Sequence, residues 1–137
     1  MSPRIERRLL QATVAAASLV PLAMGGLSIL RSADVLKGME PPFPIDLDSH
    51  YRYLSGLLLG IGLVFVASIP RIERRRTVFL TLGAVILVGG LARLWSLLEA
   101  GAPSVGHRFG LGMELFAVPL IVLWQGRVAR RCGPGSA

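Results

Sequence analysis

Four ionisable residues sit in or beside long apolar runs of the chain: Asp48, Arg52, Arg93 and Glu114. A charge in an apolar run is costly, so each asks for a partner or a role. Asp48 and Arg52 stand four apart, the spacing that places both on one helical face. Arg93 lies in the run 77–98 and Glu114 in the run 109–126, each about five residues in from the ends that a short connection joins. Antiparallel neighbours would hold the two at matching depth, and an Arg93–Glu114 ion pair is the simplest way to bury both. Two acids and two bases together are formally neutral. The spacing therefore predicts a packing clasp that fixes helix register, a use of buried polar groups with good precedent. The alternative is a small outward-facing polar cavity in which Arg52 or Arg93 meets an anionic headgroup or substrate.

Other chemistry is scarce. His50 and His107 have no clustered Cys, Asp or Glu at ligand spacing, which makes a poor metal site, and neither is deep enough in a run to hold a haem. Both read as interfacial residues. Cys132 is the one cysteine, so a disulfide scaffold or cysteine-pair redox chemistry is excluded. There is no nucleophile-elbow serine and no Gly-rich phosphate loop. The expectation is no metal, no cofactor and no catalytic constellation.

The elements that must position these charges follow from composition. In 137 residues, 53% are hydrophobic and 17% charged, with a mean hydropathy of +0.61. That is one domain, 1–137, and too apolar for an ordinary soluble one. The apolar residues fall in four blocks, at about 9–30, 49–69, 77–98 and 109–126. A 22-residue helix covers about 33 Å, enough for a bilayer core. The first block contains Pro21 and Gly25-Gly26, where a bend is expected. The uncharged part of the second, 53–69, is short, so its helix is expected to begin near Asp48 or Ser49, with Asp48 as the N-cap. The first block is also longer than the apolar core of a signal peptide and is read as a span.

The connection 31–48 carries Pro41, Pro42 and Pro44. A short helical turn over 32–37, ended by Gly38, followed by a stiff return through the prolines, is the expected course. The segment 127–137 reads as a basic tail with a disordered end from Gly133. No internal repeat is read.

A net charge of +7 would make nucleic acid the first partner to consider for a soluble protein. The distribution argues against it. Fourteen of the fifteen basic residues are arginine, and ten form three clusters: Arg4, Arg7 and Arg8; Arg71, Arg74, Arg75 and Arg76; Arg127, Arg130 and Arg131. Each cluster abuts an apolar block, where cytoplasmic anchoring charge belongs. Arg31, Lys37, Arg52 and Arg108 lie on the other side, diluted by Asp34, Glu40, Asp46, Asp48 and Glu99. Both termini are therefore expected in the cytoplasm, with Tyr51, Tyr53, Trp95 and Phe109 at the outer interface and Trp124 at the inner one.

Small residues suggest the packing faces. Gly56-Leu-Leu-Leu-Gly60 is a GxxxG pattern and extends the Asp48/Arg52 ridge, so Gly56 and Gly60 are expected to pack helices. Glu114, Ala117, Ile121 and Gln125 share one face of the fourth span; Gln11, Ser18 and Gly25 share one of the first, with Gln11 and Gln125 placed to bond near the cytoplasmic side.

The stretches Asp48-Ser-His-Tyr-Arg52-Tyr-Leu-Ser-Gly56-Leu-Leu-Leu-Gly60, Gly89-Gly90-Leu-Ala-Arg93 and Glu114-Leu-Phe-Ala-Val-Pro119, the last followed by Trp124-Gln125, resemble a small bacterial membrane family, that of domain of unknown function 4345. The resemblance covers most of the chain up to Gln125. It implies that the positions of Asp48, Arg52, Arg93 and Glu114 are the recurrent charged ones, and it names no activity. A looser likeness to four-span DoxX-type proteins is architectural and implies no redox role.

The sequence thus predicts an all-α, integral membrane four-helix antiparallel bundle in a bacterial inner membrane. Its expected role is that of a small non-enzymatic accessory or assembly partner of a membrane complex, in contact with the lipid bilayer and with a membrane protein or a second copy of itself. The alternative is a binder or carrier of a small amphiphile, lipid or quinone, at the Asp48, Arg52, Arg93 and Glu114 cluster.

Overall fold

The computed structural model describes residues 2–36 and 38–132. They form α1 (Pro3–Arg31), a 3-10 turn (Ser32–Val35), α2 (Ile45–Ser68), a second 3-10 segment (Ile69–Arg74), α3 (Arg76–Ala100), α4 (Val105–Gly112), a π turn (Met113–Ala117) and α5 (Val118–Cys132). No strand occurs among the described residues. The fold is all-α, as the block pattern predicts. Four helical segments, Pro3–Val35, Ile45–Arg74, Arg76–Ala100 and Val105–Cys132, are long and apolar enough to cross a membrane. Lys37 and the expected disordered end at 133–137 lie outside the described residues.

The chain divides into two compact units. The central unit runs from Ala12 to Ile69; the terminal unit joins the start of α1, up to Gln11, to the described chain from Pro70 onward.

In the central unit, α1 buries a stripe of Val14, Ser18, Gly25 and Ser28. Their spacings of four, seven and three keep them on one helical face, the face on which Ser18 and Gly25 were expected. The helix continues through Pro21. A Cβ added at Gly25 would lie 2.7 Å from the Leu59 amide nitrogen, and one at Gly62 would lie 3.1 Å from Leu22 Cδ2. The two contacts run in opposite senses along α1 and α2, so the helices are antiparallel. Apolar side chains gain little by leaving lipid for each other, and close backbone approach at small residues supplies the packing instead. Three of the buried serines obey the same logic. Ser18 Oγ donates to Val14 O at 2.7 Å, Ser55 Oγ to Tyr51 O at 2.7 Å and Ser68 Oγ to Val64 O at 2.7 Å, so each hydroxyl is satisfied within its own helix.

Gly56 and Gly60 do not make the close contact their spacing predicts. A Cβ at either position meets nothing within 4 Å. The near approaches fall at Gly25 and Gly62, because those glycines, and not the GxxxG pair, face the neighbouring helix. Gly56→Ala and Gly60→Ala are accordingly expected to be neutral or stabilising, by up to about 1 kcal/mol from helix propensity. Thermal unfolding in detergent checks this, and a loss of several degrees at either position would contradict it.

The start of α2 also differs from expectation. The N-cap position belongs to Pro44, with φ −53°, and Asp48 stands a turn inside the helix, its amide donating to Pro44 O at 3.0 Å. Proline is well suited to a helix start, because its φ is already near the helical value and the missing N–H would have had no partner there. The earlier start lengthens an otherwise short span.

In the terminal unit, α3 packs antiparallel to the rod of α4, the π turn and α5. A Cβ on Gly83 would lie 2.6 Å from Val122 Cγ2, and one on Gly90 would lie 2.9 Å from both Glu114 Cβ and Leu115 Cδ2. Positions ascending on one helix thus meet positions descending on the other. Leu10, Ile72, Phe79, Gln125 and Val128 are fully buried in this unit. Gly101, at φ +91°, ends α3 in a conformation that costs glycine little. The π turn closes two residues before Pro119. Proline offers no amide to the carbonyl four residues back, Leu115 O, and its ring crowds that carbonyl; a wider turn at this point accommodates both.

Candidate functional site

Asp48 and Arg52 meet as their spacing predicts. The Asp48 carboxylate accepts from Arg52 Nε at 2.9 Å and Nη2 at 3.1 Å, a two-pronged contact of the kind guanidinium and carboxylate geometry favour. The third arm does something the spacing does not reveal. Arg52 Nη1 donates to Ile29 O and lies 3.5 Å from Leu30 O, at the C-terminal end of α1. Those carbonyls have no partner within their own helix, and a cation there also meets the negative end of the helix dipole. Asp48, in the first turn of α2, stands at the positive end of its own helix. One side chain thereby ties the end of α1 to the start of α2. Ser32, the residue that follows α1, is buried and held at φ +54°, a conformation that costs a non-glycine residue about 1 kcal/mol or more. Arg31 and Asp34 add an exposed i, i+3 pair at 2.7 Å, whose contribution is small.

Arg93 and Glu114 also pair. Arg93 Nε donates to Glu114 Oε2 at 3.0 Å and Nη2 to Oε1 at 3.1 Å. The side chains are 36% and 22% exposed, so the pair is half-buried and rests against the Gly90 contact beside it. Glycine at 90 is required because the Glu114 Cβ and Leu115 occupy the space a side chain would need. Glu114 lies inside the π turn. α3 and the α4–α5 rod run antiparallel through this contact.

The four candidate residues thus form two closed pairs, one within each unit. Of the remaining candidates, His107 Nδ1 lies 2.8 Å from Ser104 Oγ, a local contact at the start of α4. His50 is exposed. Cys132 Sγ lies 3.5 Å from Pro3 O.

A third polar network was not anticipated. Glu6, only 2% exposed, pairs with Arg127 at 2.8 Å and Arg131 at 2.6 Å. Arg7 Nε lies 3.1 Å from Glu73 Oε2, while its Nη2 donates to Pro70 O at 3.0 Å. Arg76 Nη1 donates to Val122 O at 2.6 Å and to Gln125 Oε1 at 3.2 Å; Gln125 Nε2 in turn donates to Ile72 O at 2.8 Å. Gly126 makes room for that guanidinium, as a Cβ there would lie 2.7 Å from Arg76 Nη1. Gln125 thus joins the 3-10 segment and the start of α3 to α5. Gln125→Leu leaves Ile72 O without its donor in a buried place, and a loss of about 1–3 kcal/mol is expected, measurable by thermal unfolding in detergent.

The signal for this network lies in the chain itself. Pro-Arg-Ile-Glu-Arg-Arg at 3–8 recurs unchanged at 70–75, so the reading of no internal repeat is corrected. Each copy places one acid among arginines at the head of a long helix. In each, the acid turns inward to an arginine of another segment: Glu6 to Arg127 and Arg131, Glu73 to Arg7. The repeat is six residues long, far shorter than the periods by which repeat architectures are recognised.

Four membrane-length apolar helices, with charges closed on one another inside them, define a multi-pass membrane protein. The chain belongs to the family described as Domain of unknown function (DUF4345), whose model matches residues 9–125. No curated protein and no solved structure matches the chain. The matched region contains Asp48, Arg52, Arg93 and Glu114 and the second copy of the hexapeptide; the first copy and the arginines of the α5 end fall outside it.

Proposed function

We propose that the chain is a non-enzymatic protein of a bacterial inner membrane, with both termini in the cytoplasm, that serves as an accessory or assembly partner of a larger membrane complex. The observation that carries this reading is the closure of its charged candidates: Arg93 forks onto Glu114, and Arg52 is committed to Asp48 and the α1 carbonyls. Charges held in this way act as clasps between helices and leave little polar capacity for a ligand. The orientation is supported by the arginine bias, ten arginines lying in the three segments assigned to the inside.

A second reading, a binder of a small amphiphile such as a lipid or quinone, is favoured by one feature, the π turn at Glu114. Such turns recur at functional sites. Gentle extraction from native membranes followed by native mass spectrometry separates the two. A larger subunit leaving in fixed stoichiometry supports the accessory role. A bound lipid or quinone that is lost on Arg93→Ala, with the fold intact, supports the binder and overturns the clasp.

A further inference from the structure

The basic end of the terminal unit carries far more positive charge than its folding uses. Ten arginines belong to its three segments, against two acids, Glu6 and Glu73. Those segments are brought together by their own contacts: Glu6 with Arg127 and Arg131, Arg7 with Glu73 and Pro70 O, and Cys132 with Pro3 O. Both acids are thereby committed. Arg76 is committed as well, to Val122 O and Gln125. Arg4, Arg8, Arg71, Arg74, Arg75 and Arg130 remain exposed at the same end, with no further carboxylate in these segments to neutralise them.

The repeated hexapeptide is an independent sign that this arrangement has a use. In both copies the glutamate faces inward, while Arg4 and Arg8 in one copy and Arg71, Arg74 and Arg75 in the other face outward. Folding alone needs the acid and a partner for it, and does not need the same outward arginines twice. Each copy also stands at the head of a helix long and apolar enough to cross a membrane, the level at which lipid phosphates lie. Arginine presents a planar fork that grips a phosphate through two hydrogen bonds, and clusters of four to eight basic residues beside a span attract anionic lipid.

We propose that the two hexapeptide copies and the end of α5 form one binding surface for anionic phospholipid headgroups, with these six exposed arginines contacting the phosphates. The surface is distinct from the Arg93–Glu114 pair and stands whether or not the accessory reading does.

The test uses the purified full chain in neutral detergent, with phosphatidylglycerol or phosphatidylcholine added and retention read by native mass spectrometry. Phosphatidylglycerol should be retained at least about tenfold more strongly, with retention falling as salt rises. Replacing Arg4, Arg8, Arg74 and Arg75 together by Gln should remove most of that preference, while replacing the same four by Lys should keep part of it, charge without the fork. The thermal midpoint in lipid-free detergent shows whether the Gln variant is folded. Should it not fold, the double change Arg74→Gln, Arg75→Gln, confined to exposed side chains, must still lower retention by about threefold or more. Equal retention of the two lipids, unchanged retention in a folded Gln variant, or displacement of the lipid by a short single-stranded DNA at equal phosphate concentration would each overturn the proposal.

Discussion

Glu114→Ala is expected to lower the stability of the protein by about 2–3 kcal/mol, a large share of what holds a small domain together. The loss comes less from the missing attraction than from Arg93, whose guanidinium would be left half-buried in an apolar run without the carboxylate it forks onto. The figure sits below the cost of breaking a fully buried pair because both side chains keep some exposure. Glu114→Gln should fall between, retaining an acceptor for Arg93 but not the charge. Thermal unfolding of the purified protein in detergent measures both. Arg93→Ala should cost a similar amount, because it strands the glutamate in the same way.

Gly25→Ala should be about as damaging, at roughly 2–3 kcal/mol, although it adds one methyl group and improves helix propensity. The added Cβ would lie 2.7 Å from the Leu59 amide nitrogen and 3.0 Å from its Cα, so the clash is with backbone and no rotamer change relieves it. Relief would require α1 and α2 to separate, loosening the buried stripe of Val14, Ser18 and Ser28 and stretching the grip of Arg52 on the end of α1. The adjacent residue supplies the control. A Cβ on Gly26 meets nothing within 4 Å, so Gly26→Ala should be neutral or slightly stabilising. Equal midpoints for the two variants would show that α1 and α2 do not approach at Gly25.

Much of the architecture was legible because apolar blocks and charge spacing are strong signals. Four runs free or nearly free of charge gave four long helices, and the i, i+4 spacing of Asp48 and Arg52 and the matching depth of Arg93 and Glu114 each placed a real ion pair. What the spacing hides is direction. Gly56 and Gly60 have the right interval, but only the rotation of α2 about its axis decides which glycine meets α1, and Gly62 does. The reach of Arg52 to the carbonyls of Ile29 and Leu30 was invisible for a related reason, since backbone acceptors carry no residue signature.

The basic clusters concealed the most. Read as blocks of like charge, they imply anchoring alone, and the single glutamate in each of the first two, Glu6 and Glu73, does not stand out among its arginines. Glu6 and Glu73 are in fact the residues around which the segments assemble, and the identical hexapeptide that holds both stood in plain view in the sequence. Gly83 and Gly90, seven apart on α3, mark the seam with α5 and with the π turn before it in the same unadvertised way.

The charges within the apolar helices are partners of each other. A double-mutant cycle at Arg93 and Glu114, with Leu as the replacement and thermal unfolding in detergent as the readout, tests that most directly. If the two residues form a clasp, each single change is strongly destabilising, the double change recovers much of the loss, and the coupling energy is about 1 kcal/mol or more. If the double change costs the sum of the singles, the two residues are independent and the clasp does not exist.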